Sequence, residues 1–271
     1  MRSYREKKNL IKEKWVDREK RIRQMENHVR ASGTATFGFT VYPESEKINR
    51  VNRHFDSIAT RYDLMNTLLS GGIHYLWKRI AVNALEIRPG AKVLDVCGGT
   101  GDMARMAGSK SQSGGLSVVY DMNRSMIDQG KKKKSSAVTF VQGDAENISF
   151  CDNTFDGVSI AFGIRNVTHM ETAFREMYRV LKKGGTMCCL EFSKPVNPVF
   201  RSFYDWYSFT VMPFLGQCIT GSRQAYTAFP ESIRAFPMPE ELTGILRQAG
   251  FRKVRSGRLT NGIAVIHTGK K

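Results

Sequence analysis

The stretch "VLDVCGGTGDMA", Val93 to Ala104, carries a short apolar run into Gly98, Gly99, Thr100 and Gly101. Glycines there let the backbone turn sharply and approach a ligand, and the next helix offers its N-terminal amides. Asp95 lies three residues before the glycines. A carboxylate in that place suits the ammonium end of a cationic ligand, directly or through water. A pyrophosphate gains nothing from it, because like charges at close range repel. Asp121 ends the next apolar run, about 20 residues on, where a ribose-binding acid is expected. Asp144 follows the third run. Acids and glycine amides of this kind fit a sulfonium amino acid bearing a ribose and an adenine. Two other readings stand beside that one. Gly99-x-Gly101-x-x-Ala104 also fits a dinucleotide fingerprint, and so an NAD-type oxidoreductase. Asp95 also suits a turn cap and Asp144 a helix cap.

A second stretch is "YDLMNTLLSGGIHYLWKR", Tyr62 to Arg79. It sets Asp63, Asn66, His74 and Trp77 in an apolar background broken by Gly71 and Gly72. It reads either as a packed helix pair or as one wall of a site. His54, His169 and His267 carry no pattern, and no metal-ligand spacing is present.

The elements that must position these residues follow from alternation. "AKVLDVC", "LSVVYDM", "AVTFVQGD", "FDGVSIAFG" and "GGTMCCLEFS" read as five strands, separated by helical stretches such as "MNRSMIDQGKKKK" and "METAFREMYRVLKK". The latter is expected to stop at Gly184-Gly185. "FRKVRSGRL" and "GIAVIHTG" add a terminal hairpin turning at Thr260-Asn261-Gly262. The expected fold is α/β, a doubly wound, mainly parallel seven-stranded sheet with one antiparallel C-terminal strand. Ahead of it, helices over Ile48–Ile58 and Tyr75–Leu85 form a cap spanning about 48–88, and "ASGTATFGFTVYPESEK" reads as a linker. Residues 1–33 read as a charged extension and 34–271 as the domain.

The 271 residues are 41% apolar, enough for a sizeable core. Five cysteines in no CxxC pattern disfavour a disulfide scaffold and favour a reducing compartment. No run of about 18 apolar residues is present to span a membrane. The net charge of +17 is partly local, with 11 Lys/Arg against 5 Asp/Glu in the first 30 residues and four more lysines at Lys131 to Lys134. No aromatics interleave with that tetralysine, so a membrane surface or plain solvation is favoured over nucleic acid. The acids of the N-terminus make it unlike a standard transit peptide.

With these motifs in order, the sequence resembles the ubiquinone/menaquinone biosynthesis C-methyltransferases, a class I S-adenosylmethionine (SAM)-dependent family. The resemblance covers roughly Ala35 to Thr268, through "TFGFTV", "YDLMNTLLSGGIHYLWKR", "DVCGGTGD", "GDAENISFCDNTFD", "FGIRNV", "RVLKKGG" and "LEFSKP". The branch it most resembles is mitochondrial and C-methylates 2-methoxy-6-polyprenyl-1,4-benzoquinol; bacterial relatives also methylate demethylmenaquinol. The resemblance implies cofactor contacts at Thr100, at Asp121 on the ribose, and at Asp144 and Ala145 beside the adenine. It implies a peripheral location on the matrix side of the mitochondrial inner membrane. A homodimer and other ubiquinone-biosynthesis proteins are the expected partners. Three departures are Ala161 where the family has a serine contact, Lys183 where it has proline, and Pro230 in the helical stretch "SRQAYTAFPESI".

Methyl transfer to a ring carbon needs an electron-rich carbon held in line, a route for a phenolic proton and a stabiliser for the phenolate. Arg165 is the expected stabiliser, since arginine keeps its charge and would relay a proton only through water. Asn166 would orient a ring oxygen. Tyr62, Asp63 and Asn66 would supply substrate contacts, and His74 a proton-transfer group with an ordinary pKa near neutrality. "FRSFYDWYSFTVMPFLGQCITG" reads either as a buried covering helix or as a lid over a polyprenyl tail. A third reading is a scaffold that presents lipid and has lost catalysis; intact Thr100, Asp121, Arg165 and Asn166 argue against it.

Overall fold

The computed structural model describes residues 15–271, apart from 113, 134 and 136. Fourteen residues of the charged extension, and the last lysine of the tetralysine run, therefore lie outside the described residues. Helices α1 (Arg18–Ile22) and α2 (Glu26–Ser32) dock by ion pairs. Arg21 pairs with Glu241 at 2.9 Å, and Arg175 with Glu26 at 2.7 Å.

The stretch expected to be a linker is a hairpin instead. Strand β1 (Thr34–Phe37) pairs antiparallel with β2 (Thr40–Pro43). Gly38 takes φ +62° in the two-residue turn, and threonines and aromatics suit the flanking strands. Helix α3 (Glu44–Ile58) follows without a gap, beginning four residues before the expected Ile48. Helices α4 (Tyr62–Ser70) and α5 (Ile73–Ala84) are joined by Gly71 and Gly72 at φ +58° and +80°, a left-handed reversal that costs glycine least.

The sheet then forms as expected. Its strands are β3 (Lys92–Val96), β4 (Leu116–Asp121), β5 (Val138–Gln142), β6 (Phe155–Ala161), β7 (Leu181–Phe192), β8 (Arg252–Leu259) and β9 (Ala264–Lys270). They run in the order β5-β4-β3-β6-β7-β9-β8, with β9 antiparallel to both neighbours and β3 to β7 mutually parallel. The reversal of strand order between β3 and β6 opens the crevice where such sheets bind ligands. Dinucleotide-binding sheets have a sixth parallel strand where this one inserts antiparallel β9, so the topology disfavours the NAD reading. Helices α6 (Asp102–Ser111), α7 (Arg124–Lys132) and α8 (Met170–Val180) cover the parallel strands. Helix α8 ends before Gly184-Gly185, because Leu181 is fully buried and pairs with Phe155. That burial starts the strand early, and Lys182 to Gly185 become an irregularity in its pairing.

The aromatic stretch after β7 is neither one helix nor wholly buried. It is α9 (Pro198–Trp206), a π-helical turn Tyr207–Val211 and α10 (Met212–Thr220). Helix α11 (Arg223–Ala235) runs through Pro230, and α12 (Pro239–Gln248) leads to β8. Arg234, fully buried on α11, donates to Asp205 at 2.5 Å, Ser208 at 2.8 Å and the Pro230 carbonyl at 2.9 Å. Trp15 donates to the same Asp205 at 3.2 Å. Arg234→Met would leave Asp205 enclosed without its cation, at a cost of about 3–5 kcal/mol. Thermal unfolding is expected to fall by about 6–20 °C. Adding Asp205→Leu should restore most of the loss; a double variant no better than Arg234→Met alone would show that the pair is not the cause.

Candidate active site

Two cavities meet above the carboxyl ends of β3, β4 and β6. The smaller, about 90 Å³, is lined by Gly99, Asp121, Asp144, Ala145 and Ala161 and roofed by Ile48, Val51 and Asn52 of α3. The larger, about 380 Å³, falls in the usual ligand-site range and is rich in aromatic side chains. Phe55, Tyr62, Phe162 and Asn166 line both cavities and form the wall between them.

The smaller cavity is built from the glycine turn. Asp121 accepts from the Gly99 amide at 2.8 Å and from the Asn123 amide at 2.8 Å. Burial raises its pKa against those bonds. Gly101 takes φ +83°, and a Cβ there would meet Val119 at 2.9 Å. Asp95 is buried beneath the turn and accepts from Ser159 at 2.7 Å; its other oxygen is enclosed without a partner among the described residues. A Cβ on Gly98 would stand 2.8 Å from that oxygen, so only glycine leaves the carboxylate its room. Burial pushes Asp95 up to about 7. Asp144 accepts from the Glu146 amide at 2.9 Å, a local turn of its own, and burial raises its pKa. Ala161 lines the cavity but offers no hydroxyl.

The roof is tied down by residues that spacing alone does not pick out. Asn123 caps α7 and reaches Asp56 of α3 at 2.9 Å. His169 bridges Glu146 at 2.6 Å and Glu44 at 3.1 Å. Lys47, buried, donates to the Val167 carbonyl at 2.8 Å, and burial lowers its pKa to about 8.

In the larger cavity Tyr62, Asn66, His74, Arg165 and Asn166 come together. Asp63 does not join them. It accepts from the Thr100 hydroxyl at 2.7 Å and pairs with Lys133 at 2.6 Å. Asp95, Thr100 and Gly101 likewise lie behind the cavity linings. Arg165 is buried, with Nη1 on Glu191 at 2.8 Å and on the Phe162 carbonyl, Nε on Ser232 at 3.3 Å, and its plane over Phe229. Its partner is a strand acid, and no described residue takes Nη2. Burial raises Glu191 against the pull of Arg165. Asn166 Nδ2 is enclosed and has no partner among the described residues.

His74 departs from the sequence expectation. Burial, aided by Lys78, lowers its pKa to about 4, so it is neutral at pH 7 and a weak base. Its nearest partner is Thr67 at 3.4 Å. His54 lines the same cavity and is lowered to about 4 by burial and then by Arg165. Tyr204 offers an enclosed hydroxyl without a partner among the described residues, with its pKa raised by burial to about 12. Glu191 had one sequence signal, a carboxylate within the apolar strand "TMCCLEF"; His54 and Tyr204 had none.

The seven-stranded sheet with its antiparallel β9, and the crevice beside a glycine turn, are those of a class I SAM-dependent methyltransferase. Solved methyltransferases share the fold. One from Thermotoga maritima, a possible histamine N-methyltransferase, aligns with TM-score 0.59 and 22% identity over 81% of this chain and 98% of its own. Phosphoethanolamine N-methyltransferase 2 of Haemonchus contortus, solved with S-adenosyl-L-methionine, aligns with TM-score 0.53 and 17% identity over 71% and 52%. The ubiE/COQ5 methyltransferase family matches residues 43–271, and the chain belongs to that family. The ubiquinone/menaquinone biosynthesis C-methyltransferase UbiE of Ectopseudomonas mendocina is 47% identical over 88% of this chain and 95% of its own length. That of Pseudomonas savastanoi pv. phaseolicola is 46% identical over 89% and 96%. The chain is thus a SAM-dependent C-methyltransferase of quinone biosynthesis. Both relatives are bacterial, and no helix among the described residues is long and apolar enough to cross a membrane.

Proposed function

We propose that the enzyme methylates a ring carbon of a polyprenylated benzoquinol, 2-methoxy-6-polyprenyl-1,4-benzoquinol, in ubiquinone formation. The observation that carries this reading is the aromatic cavity of about 380 Å³ meeting the cofactor cavity at Tyr62, Phe162 and Asn166. The donor set fits the cofactor: Asp121 for the ribose hydroxyls, Asp144 and Ala145 for the adenine edge, and Asp95, behind the lining, for the ammonium through a bridging water. When bound, SAM supplies an electrophilic methyl group. The chain's own residues do the rest. Arg165, fixed by Glu191, points its open Nη2 at a ring oxygen and stabilises the phenolate as its proton leaves through water. The Asn166 amide donates to the same oxygen or to that water. Tyr62 and Phe162 hold the ring flat against the junction, which fixes the line of attack.

The tail would leave past Phe200, Phe203 and Tyr207. Val199, Phe203 and Trp206 of α9 are exposed at helical spacing, and Lys194 and Arg201 lie in the same segment. With the net charge of +17, that face supports docking on an anionic membrane. The resemblance to the mitochondrial branch supports the matrix face of the inner membrane, and the homodimer and pathway partners follow from the same resemblance. The test is mass spectrometry of reduced benzoquinols and naphthoquinols incubated with enzyme and SAM. One added methylene on the benzoquinol ring is expected. Methylation of naphthoquinols alone would replace the substrate by demethylmenaquinol. No product with SAM binding intact would favour a lipid-presenting scaffold.

A further inference from the structure

We infer that Lys133, from the tetralysine run, is a positioning residue that latches the cap helix α4 onto the glycine turn and thereby sets the cofactor site. Its ammonium group reaches three oxygens on two helices and the glycine turn: Asp63 at 2.6 Å on α4, Asp102 at 3.0 Å at the start of α6, and the Thr100 hydroxyl at 3.0 Å in the turn. A lysine has three donors, and all three have a partner here. Thr100 passes its own hydrogen to Asp63 at 2.7 Å, so lysine, threonine and aspartate close a ring. Asp102 also takes Lys78 of α5 at 2.8 Å and Arg105 at 2.9 Å. Against the push of burial, Lys78 and then Lys133 hold Asp102 well below the usual carboxylate range.

The cluster therefore joins three cations to two carboxylates. Without Lys133, Asp63 loses its charge partner and keeps only the Thr100 hydroxyl. The first turn of α4 is then free to lift. That turn begins with Tyr62, which lines both cavities. Displacing Tyr62 opens the wall between cofactor and substrate. The Lys133 and Asp63 side chains are each about one-third exposed, at 30% and 31%, so the latch is partly screened and salt-sensitive. This assigns Asp63 to holding the cap rather than to touching substrate. Its neighbour Lys132 differs: it is exposed and, among the described residues, bonds only Gln129, at 3.2 Å.

The inference rests on SAM as the cofactor, which titration of the wild-type protein tests separately. Titration of SAM into Lys133→Met, which keeps the length and removes the charge, should show affinity about tenfold weaker. Lys133→Arg should recover most of it, and Lys132→Met should match the wild type. Asp63→Asn should weaken binding as much as Lys133→Met, and the double variant no further, because the two act as one unit. Raising salt from about 0.05 M to about 0.5 M should weaken the wild type more than Lys133→Met. Wild-type affinity in Lys133→Met, or losses that add in the double variant, would overturn the latch. A merely structural lysine would lower the melting temperature while leaving the affinity of the folded protein unchanged.

Discussion

Arg165→Gln is expected to lower turnover of a reduced benzoquinol by about two to three orders of magnitude while leaving SAM affinity within about twofold. The reasoning is geometric. Arg165 lines the larger cavity, where the quinol is proposed to bind, and is absent from the lining of the smaller one. Its Nη1 and Nε are held by Glu191, Phe162 and Ser232, so only the free end of the fork is available to a developing phenolate. A stabiliser that acts mainly on charge absent from the ground state changes kcat more than KM. Arg165→Lys keeps the charge but cannot reach Glu191, Ser232 and the ring oxygen together, so it should recover only part of the rate. Glu191→Gln should lower kcat by loosening the guanidinium, though Glu191 lines neither cavity. Glu191 lies above its usual range through burial, so in Arg165→Gln it can take up a proton, which limits the cost of its lost partner. Single-turnover rates with saturating cofactor make the measurement. Turnover within tenfold of wild type in Arg165→Gln would remove Arg165 from the chemistry.

The sheet was legible because each buried strand is short, apolar and stopped by a turn, and because helices fill the intervals. The β1–β2 hairpin was not legible: four-residue strands around one glycine look like the small and turn residues of a linker. The end of α8 was also illegible. Lys182, Lys183 and two glycines look like a helix terminus, yet the burial of Leu181 decides the chain's path, and burial there depends on a strand 26 residues away. The site divides in the same way. The glycine turn and its acids are local, so their spacing carries them. The surroundings of Arg165 are not local: Ser232 is 67 residues from it in sequence. The tetralysine run looked like solvated charge, and for Lys132 it is. Lys133 differs by one position, which turns its side chain onto the cap.

Asp95 should make both stability and cofactor binding depend on pH, with opposite signs. Burial lifts its folded pKa from 3.8 to about 7, so between those values the folded protein holds a proton that the unfolded chain has released. Its contribution to stability is full below about pH 4 and is lost as pH rises through about 7, a change of about 4 kcal/mol for the ligand-free protein. SAM reverses the preference. Its ammonium favours the ionised carboxylate, so below pH 7 binding must expel the proton. Affinity should weaken by up to about tenfold for each unit below pH 7, with proton release on binding at pH 6. Titration calorimetry in two buffers of different ionisation enthalpy reads both quantities. Asp121 and Asp144 are also raised by burial, against their own backbone hydrogen bonds. Asp95→Asn separates them: it should abolish most of the pH dependence and weaken binding at pH 8 by about 30-fold or more, as losing one partner of a buried charge pair does. An affinity for wild type that stays flat between about pH 5.5 and pH 8 would mean that Asp95 serves the glycine turn alone. The enclosed oxygen, which a Cβ at position 98 would crowd to 2.8 Å, would then have no ligand to answer. Because such an oxygen carries a desolvation cost whether or not it meets a cation, the pH profile distinguishes a binding carboxylate from a structural one.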